Sequence, residues 1–201
     1  MTVEVIKRGF VWKLRTAERQ SMTACKLMLG DLAIYHWVSV SDKHVTNVSN
    51  GILKDVLRLY KENFPEMNDK RFKMYARYFK KTTYVYMDNN EVKGYCFYYI
   101  TSPLLSLRLK KRATLYSFVV DSRYRGQGIG TNLLQKSILE MRLNSIDRIK
   151  LYVDSDSIEA ISFYRKMGFE MKEEVMDICG LGKKCYKMEI MFDEKKNPRW
   201  F

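Results

Sequence analysis

The sequence has only two histidines, His36 and His44, and no Cys-x-x-Cys spacing among its four cysteines. The closely spaced nitrogen and sulfur ligands of a zinc site are therefore missing, and we expect no metal. We expect the cysteines to be reduced, as is usual in the cytosol, although Cys179 and Cys185 flank a Gly-Leu-Gly turn and could pair across a hairpin. With 46% hydrophobic residues, 14 tyrosines and three prolines, the composition is that of a globular protein and argues against a disordered chain.

Long hydrophobic runs are also missing from the sequence. No apolar stretch approaches the roughly 20 residues that span a bilayer, and the first ten residues lack the apolar segment of a signal peptide. We therefore expect a cytoplasmic protein without a membrane partner. At 201 residues, one domain with an extension is the expected organisation, and its core can be substantial.

Acidic residues are too few to balance the basic ones, and the formal net charge is +13. Basic residues concentrate at positions 71–81 and 108–112, and at Arg123 and Arg125. A polyanionic ligand would account for part of this charge. The rest predicts either an acidic protein, ribosome or nucleic acid partner, or a solvated basic surface without a partner.

The most informative stretch is residues 117–134, SFVVDSRYRGQGIGTNLL. It begins with the apolar run of a buried strand, continues through a charged turn with three alternating glycines, and ends in a helical apolar pattern. A strand, a glycine-rich turn and a helix direct unpaired backbone N–H groups at an anion, and glycine lets a phosphate approach the main chain. We interpret this turn as a pyrophosphate-binding site.

Two common phosphate-binding motifs do not fit this turn. A P-loop requires a lysine after its last glycine, and a dinucleotide-binding turn requires glycine or alanine there, whereas this chain has Thr131. The pattern Arg/Gln-x-x-Gly-x-Gly/Ala does fit, with Arg125, Gly128 and Gly130. In this motif the sequence resembles the GNAT acetyltransferase superfamily, whose members bind the pyrophosphate of acetyl-coenzyme A (acetyl-CoA) with such a turn.

A second motif downstream strengthens the resemblance. The family often shows Asn-x-x-Ala-x-x-Phe/Leu-Tyr-x-x-x-Gly-Phe, and this chain has Ser157, Ala160, Phe163, Tyr164, Gly168 and Phe169, with serine where asparagine is commoner. The resemblance covers about residues 33–191. It implies a mixed α/β fold, in which a twisted mixed sheet with splayed central strands is flanked by helices.

The hydrophobic pattern along the chain agrees with that fold. We predict an N-terminal extension over residues 1–32, an acetyltransferase domain over 33–192 and a charged tail over 193–201. The extension would be a hairpin and a short helix ended by Gly30, and would serve as an oligomer contact such as a homodimer interface, a lid or an addition to the sheet. Within the domain we predict strands at 33–40, 82–87, 92–100, 113–120, 150–153, 169–176 and 184–192, and helices at 49–63, 69–79, 133–141 and 158–167.

The resemblance implies acetyl-CoA as the cofactor, bound where strands 113–120 and 150–153 stop pairing. The implied cofactor-binding residues are Phe118, Val119, Val120, Arg125, Gly126, Gln127, Gly128, Ile129, Gly130, Thr131, Ser157 and Phe163. Main-chain groups near Phe118 would bind the pantetheine amides, and its N–H would donate to the thioester oxygen. Tyr164 would be the acid that protonates the leaving thiolate.

A carboxylate is missing where many family members place the catalytic base. Thr114 occupies that position, and residues 113–120 contain no aspartate or glutamate. Proton removal from the amine would therefore use water held by Thr114, Tyr116 or Ser117, or a carboxylate from elsewhere such as Glu91 or Asp154. Asp154 is also interpreted as part of a helix N-cap.

Two functions agree with these observations. The first is an N-acetyltransferase that moves an acetyl group from acetyl-CoA to an amine of a protein, a peptide or a small molecule by direct attack. The alternative is a catalytically silent acyl-CoA-binding module whose basic surface contacts nucleic acid or an acidic partner. The basic loops on the acceptor side favour acidic peptides or N-termini over polycationic acceptors.

Overall fold

The computed structural model describes residues 23–65, 69–101 and 110–192, which form a seven-stranded sheet in the order β1-β2-β3-β4-β5-β7-β6. The strands are β1 Val45–Asn47, β2 Thr83–Asp88, β3 Glu91–Thr101, β4 Lys111–Val120, β5 Ile146–Asp154, β6 Glu170–Met176 and β7 Lys184–Met191. The helices are α1 Thr23–Ala33, α2 Leu53–Asn63, α3 Asp69–Tyr78, α4 Ile129–Leu143 and α5 Ile158–Lys166. Only β4 and β5 pair in parallel among these strands, so the sheet is mixed. The predicted fold class is confirmed.

The two faces of the sheet carry different helices. On β3, Phe97 faces α3, where its ring contacts Phe72 at a centroid distance of 5.6 Å. The next residue, Tyr98, faces α4, and its hydroxyl is hydrogen-bonded to Ser137 Oγ at 2.7 Å. Because side chains alternate along a strand, residues of the neighbouring strands can be assigned to the α3 face or the α4 face from their register with β3.

The first strand is not where the sequence predicted it. Residues 33–40 form the end of α1, a turn and a loop, and the first strand among the described residues is β1. Helix α1 also does not end at Gly30 but continues to Ala33, because Gly30 packs against β3. A β-carbon at Gly30 would lie 2.6 Å from the carbonyl oxygen of Ile100. The predicted hairpin at 3–14, all but the last two residues of a predicted basic connection at 102–111, and the tail at 193–201 lie outside the described residues. The predicted domain limits stay a prediction.

Side chains at the C-terminal end of α4 form hydrogen bonds with the main chain of the loop after α1, as a neighbouring strand would. Asn144 Oδ1 accepts from the N–H of Val38 at 2.7 Å, and Asn144 Nδ2 donates to the Val38 carbonyl at 2.8 Å. The Glu140 carboxylate accepts from the N–H of Val40 at 2.8 Å and from the Trp37 indole at 3.1 Å. The apolar alternation of the loop therefore reflects contacts with a helix, which a strand pattern in the sequence does not distinguish.

We expect Glu140→Ala to lower the free energy of unfolding by about 3–5 kcal/mol. The buried carboxylate also accepts from Lys136 Nζ at 2.7 Å and from the Tyr84 hydroxyl at 3.0 Å, so its loss leaves an ammonium group buried without its counter-ion. Urea unfolding measures the change. Glu62→Ala is the matched control, because Glu62 forms an exposed pair with Arg58 and should change stability by less than about 1 kcal/mol. Equal losses in both variants would contradict a role for this network.

Strands β4 and β5 pair over only part of their length. Their last register pair is Thr114 with Lys150. Beyond it, β4 continues to Val120 against β3, while β5 continues to Asp154 against β7. The predicted splay of the central strands is confirmed, and it leaves a gap between the second half of β4 and the second half of β5.

None of the described helices has both the length and the apolar character that a bilayer-spanning helix requires.

Candidate active site

The glycine-rich turn between β4 and α4 presents six consecutive N–H groups. Within the described ranges, no main-chain nitrogen from 126 to 131 donates to a protein acceptor, and the first helical bond joins Asn132 N to the Gly128 carbonyl at 3.0 Å. Gly126 and Gly128 have φ values of 76° and 79°, and a β-carbon at either would meet nothing within 4 Å. Both glycines thus adopt a left-handed conformation beside open space. Such a turn binds an anion through its main chain.

Gly130 has a different role in the same turn. A β-carbon there would lie 3.1 Å from the Phe118 ring and 3.5 Å from the Phe163 ring. Glycine therefore lets the first turn of α4 approach the two stacked rings, whose centroids are 5.5 Å apart with an interplanar angle of 6°. This close approach brings the unpaired N–H groups of Ile129, Gly130 and Thr131 next to the gap in the sheet.

A hydrogen-bond network supports the turn. Asp121 accepts from the main-chain nitrogen and the guanidinium of Arg123, and this bond holds the pKa of Asp121 below its ordinary value of 3.8. Glu91 accepts from Arg123 Nη2 and from the Tyr124 hydroxyl, both at 2.7 Å. Glu91 is therefore engaged in holding the turn. The carboxylates of Asp121 and Glu91 neutralise the charge of Arg123. Arg125 is the second cation of the turn.

Arg125 lies between the turn and helix α2. Its Nε donates to the Val120 carbonyl at 3.2 Å, and its Nη2 donates to Asn63 Oδ1 at 3.3 Å. Its side chain is exposed, so the guanidinium remains accessible to an anion on the turn. Gln127 is exposed as well.

The gap exposes main-chain groups of Phe118 and Val120. The Asp121 N–H donates to the Lys93 carbonyl of β3 at 2.9 Å. Because bonding alternates along an antiparallel pair, Val119 also bonds to β3, whereas the N–H and C=O of Phe118 and the N–H of Val120 point into the gap. The Val120 carbonyl on that side accepts from Arg125 Nε. A ligand with amide groups can pair with them as an additional strand would.

A β-bulge widens the α3 side of β4. The register passes from the pair Phe97–Ser117 to the pair Tyr98–Leu115 and omits Tyr116. The Tyr116 ring lies 5.6 Å from the Tyr75 ring and 6.2 Å from the Tyr99 ring, measured between centroids. These three rings form an aromatic wall on the α3 face, beside the gap.

Two further side chains lie on the same face across the gap. Thr114 is buried and is the register partner of both Tyr99 and Lys150, so it lies on the α3 face. Lys150 and, two residues on, Tyr152 share that face, and Lys150 Nζ is 5.7 Å from the centroid of the Tyr152 ring. The sequence analysis missed both residues. The signal was the alternation of apolar residues 149, 151 and 153 with polar residues 150, 152 and 154.

Tyr164 lies on the opposite face, among three aromatic rings. Its ring centroid is 6.2 Å from that of Phe118, 5.6 Å from that of Phe163 and 5.8 Å from that of Phe169. Burial raises the pKa of its hydroxyl well above the ordinary value, so the group keeps its proton at neutral pH. No hydrogen bond among the described residues uses this hydroxyl. The gap therefore has a protonated phenol on the α4 face.

The start of α5 supplies the other predicted contacts. Ser157 occupies the N-cap position, but its exposed side chain makes no capping hydrogen bond to the described residues. Asp154 accepts from the N–H of Asp156 at 3.0 Å and from Lys183 Nζ at 3.2 Å, and the first of these bonds lowers the pKa of Asp154. These bonds give Asp154 a structural role at the turn into α5.

The loop between β6 and β7 is closed by a disulfide between Cys179 and Cys185. The expectation of reduced cysteines at these positions is wrong. The Asp177 N–H donates to the Lys183 carbonyl at 2.9 Å, which closes the loop and brings the two Cα atoms to 6.2 Å, within disulfide range. Cys96 is a buried free thiol whose pKa burial raises to about 12. In the part of the chain that is described, no cluster of three or more His, Cys, Asp or Glu side chains is placed to hold a metal ion.

Comparisons with known proteins agree with this geometry. Residues 51–169 match the family model described as Acetyltransferase (GNAT) family. N-alpha-acetyltransferase 30 of Schizosaccharomyces pombe is 26% identical over 126 residues, which cover 60% of this chain and 79% of that protein. The structure of Arabidopsis thaliana Naa50 in complex with the bisubstrate analogue CoA-Ac-MVNAL is similar with a TM-score of 0.64 and 26% identity, over 77% of this chain and all of that one.

Other curated relatives match over a shorter segment. The histone acetyltransferase TAP1 of Glycine max is 40% identical over 62 residues, which cover 31% of this chain and 26% of that protein. The chain spans about a quarter to a third of the length of the first curated relatives it matches.

Proposed function

Because the chain belongs to the acetyltransferase (GNAT) family, we propose that it transfers the acetyl group of acetyl-CoA to the α-amino group of a polypeptide. The observation that carries the proposal is the run of six N–H groups at residues 126–131, beside the gap between β4 and β5. The similarity to an N-alpha-acetyltransferase and to a protein solved with a peptide-containing bisubstrate analogue supports a polypeptide acceptor.

The residues around the gap fit the donor. The main chain of residues 126–131 would hold the diphosphate with Arg125, and the exposed edge of Phe118 and Val120 would pair with the pantetheine amides. The exposed hydroxyl of Ser157 is available to the same arm. Bound acetyl-CoA supplies a thioester whose carbonyl carbon can be attacked by an amine.

Two groups of the chain would assist acyl transfer. The Phe118 N–H would donate to the carbonyl oxygen as negative charge develops there, and one such fixed donor is typically worth about 3 kcal/mol of barrier. The Tyr164 hydroxyl would donate its proton to the departing sulfur. Its raised pKa keeps the hydroxyl protonated, so that its O–H can donate a hydrogen bond to the sulfur as negative charge develops there.

The lack of a dedicated carboxylate base favours an α-amine as acceptor. An α-amino group has a pKa near 8 and a lysine side chain near 10.4, so at neutral pH the neutral fraction of the α-amine is larger by roughly two orders of magnitude. An α-amine therefore needs less help to lose its proton, and ordered water beside Thr114 and Tyr116 would suffice. The amine would approach along the aromatic wall of Tyr75, Tyr99 and Tyr116.

A thiol-release assay with acetyl-CoA tests the proposal. We expect release with peptides that have a free N-terminus, and none with the same peptides blocked at the N-terminus but carrying an internal lysine, or with a polyamine. Mass spectrometry should place the acetyl group on the α-nitrogen. Release with the blocked peptides would overturn the choice of acceptor. Binding of acetyl-CoA without thiol release on any amine would instead establish the silent binding module.

A further inference from the structure

The charged side chains on the α3 face of β5 and β7 are mostly engaged with one another. Glu189 of β7 accepts from Arg148 Nη1 at 3.3 Å and lies 3.3 Å from Lys187 Nζ, so two cations share its carboxylate. Lys150 is the register partner of Glu189 and lies on the same face. Even so, no carboxylate of the described residues forms an ion pair with Lys150. Lys150 therefore adds a positive charge to this face for which the described strands supply no counter-ion.

The ammonium group of Lys150 lies beside the gap in the sheet. Its Nζ is 5.7 Å from the centroid of the Tyr152 ring. Tyr152 follows the last register pair of β4 and β5, Thr114 with Lys150, and so belongs to the part of β5 that borders the gap. The Lys150 side chain is half-buried. Because a half-buried charge is screened less by water and salt than an exposed one, Lys150 can select ligands by charge more strongly than a surface lysine.

Lys150 and the aromatic wall lie on opposite sides of Thr114. Thr114 of β4 pairs in register with Tyr99 of β3 and with Lys150 of β5. The three residues thus form one row across the α3 face. Since neighbouring strands are about 4.8 Å apart, the Cα atoms of Tyr99 and Lys150 are about 10 Å apart. A polypeptide end that reaches Thr114 would have tyrosine rings on one side and an ammonium group on the other.

We propose that Lys150 binds a side-chain carboxylate in one of the first two residues of the acceptor polypeptide. This role rests on the proposed function, in which the α-amine reaches Thr114 along the aromatic wall. Two extended residues span only about 7 Å, so the side chains nearest to the ammonium group are those of the first two residues. A carboxylate there would form a charge-assisted hydrogen bond with Nζ, whereas a lysine or arginine side chain would be repelled. Preferred acceptors would therefore have aspartate or glutamate at position one or two.

Matched peptides with free N-termini test the role of Lys150. They carry aspartate or asparagine at position one or two and are otherwise identical. With acetyl-CoA at saturation, we expect kcat/KM to be at least about tenfold higher for the better aspartate peptide than for its asparagine counterpart, mainly through a lower KM. Lys150→Gln should bring this ratio close to one, and Lys150→Arg should retain it. Lys166→Gln, at the exposed end of α5, is the matched control and should keep the native ratio.

Charge reversal makes the test independent of folding defects. Lys150→Glu should prefer a peptide with arginine at the same position over the aspartate peptide, a reversal that a merely structural role of Lys150 would not produce. Acetylation of the aspartate and asparagine peptides at equal kcat/KM by the native protein would overturn the role of Lys150 and leave the proposed function intact. An aspartate preference that persists in Lys150→Gln would do the same. Absence of acetylation of every free N-terminus would instead overturn the proposed function, and the role of Lys150 with it.

Discussion

Replacement of Tyr164 by phenylalanine will lower kcat at least about 100-fold and leave the Kd for acetyl-CoA within about twofold. Loss of a general acid typically costs a factor of 10² to 10⁴. The Tyr98 hydroxyl, also on the α4 face, is already hydrogen-bonded to Ser137 Oγ at 2.7 Å and therefore does not replace the Tyr164 hydroxyl. The rings of Phe118, Phe163 and Phe169 pack around the Tyr164 ring rather than its hydroxyl, so the aromatic packing survives the change. Single-turnover kinetics and equilibrium binding measure the two quantities separately.

A structural role for the Tyr164 hydroxyl would give a different result. No described residue is hydrogen-bonded to it, so Tyr164→Phe should leave the thermal midpoint unchanged. Tyr86→Phe is the matched control, since Tyr86 is half-buried on β2, distant from the gap in strand order. A fall in thermal midpoint with unchanged kcat would show that Tyr164 is a core residue.

The pH profile of the native enzyme gives an independent check on Tyr164. Burial raises its pKa, so the hydroxyl stays protonated above pH 10, where an ordinary tyrosine would lose its proton. We therefore expect kcat to rise as the acceptor amine is deprotonated and then to remain level up to about pH 10. An alkaline decrease well below pH 10 that disappears in Tyr164→Phe would contradict the raised pKa.

Alanine at both Gly126 and Gly128 will weaken acetyl-CoA binding at least about 100-fold. The methyl groups would stand between the anion and the main chain, and each hydrogen bond lost to a charged group is worth about 1.5–3 kcal/mol, or roughly tenfold or more in Kd. Both residues also have positive φ, which alanine adopts at a cost of roughly 1–2 kcal/mol. Isothermal titration calorimetry with acetyl-CoA measures the loss.

Gly182→Ala separates the cost of a positive φ from the loss of hydrogen bonds to the diphosphate. Gly182 has a φ of 76°, and a β-carbon there would also meet nothing within 4 Å, but it lies in the β6–β7 loop, outside the glycine-rich turn. The control should therefore lose a similar amount of stability as each single turn variant and keep its affinity for acetyl-CoA. If the turn variants keep their affinity as well, the diphosphate does not bind to this turn.

The sequence predicted the parts of the fold that depend on local patterns. The strand, glycine turn and helix at residues 111–143 form as expected, because their periodicity and their turn glycines require no distant partner. The loop at residues 33–40 was assigned wrongly, since its apolar alternation arises from Glu140 and Asn144, about one hundred residues away. Such contacts have no signature in a single sequence.

The residues of the candidate site also divide into those that a local motif predicts and those that depend on distant contacts. Main-chain donors at residues 126–131 follow from a motif with fixed spacing, and so does Tyr164. The aromatic wall depends on a bulge at Tyr116 and on a helix that brings Tyr75 to it, neither of which the local sequence encodes. Lys150 and Tyr152 join the site only because β4 and β5 separate after Thr114. The acceptor side is therefore much less predictable than the donor side.

The most direct test of the account is an NMR titration of the ¹⁵N-labelled protein with acetyl-CoA. Binding of the diphosphate by the main chain predicts that the amide resonances of residues 126–131 shift more than those elsewhere, with the largest changes at Gly128, Ile129 and Gly130, and that Phe118 shifts with them. Saturable binding that leaves these amides unchanged, or that shifts only residues outside the gap, would contradict the account.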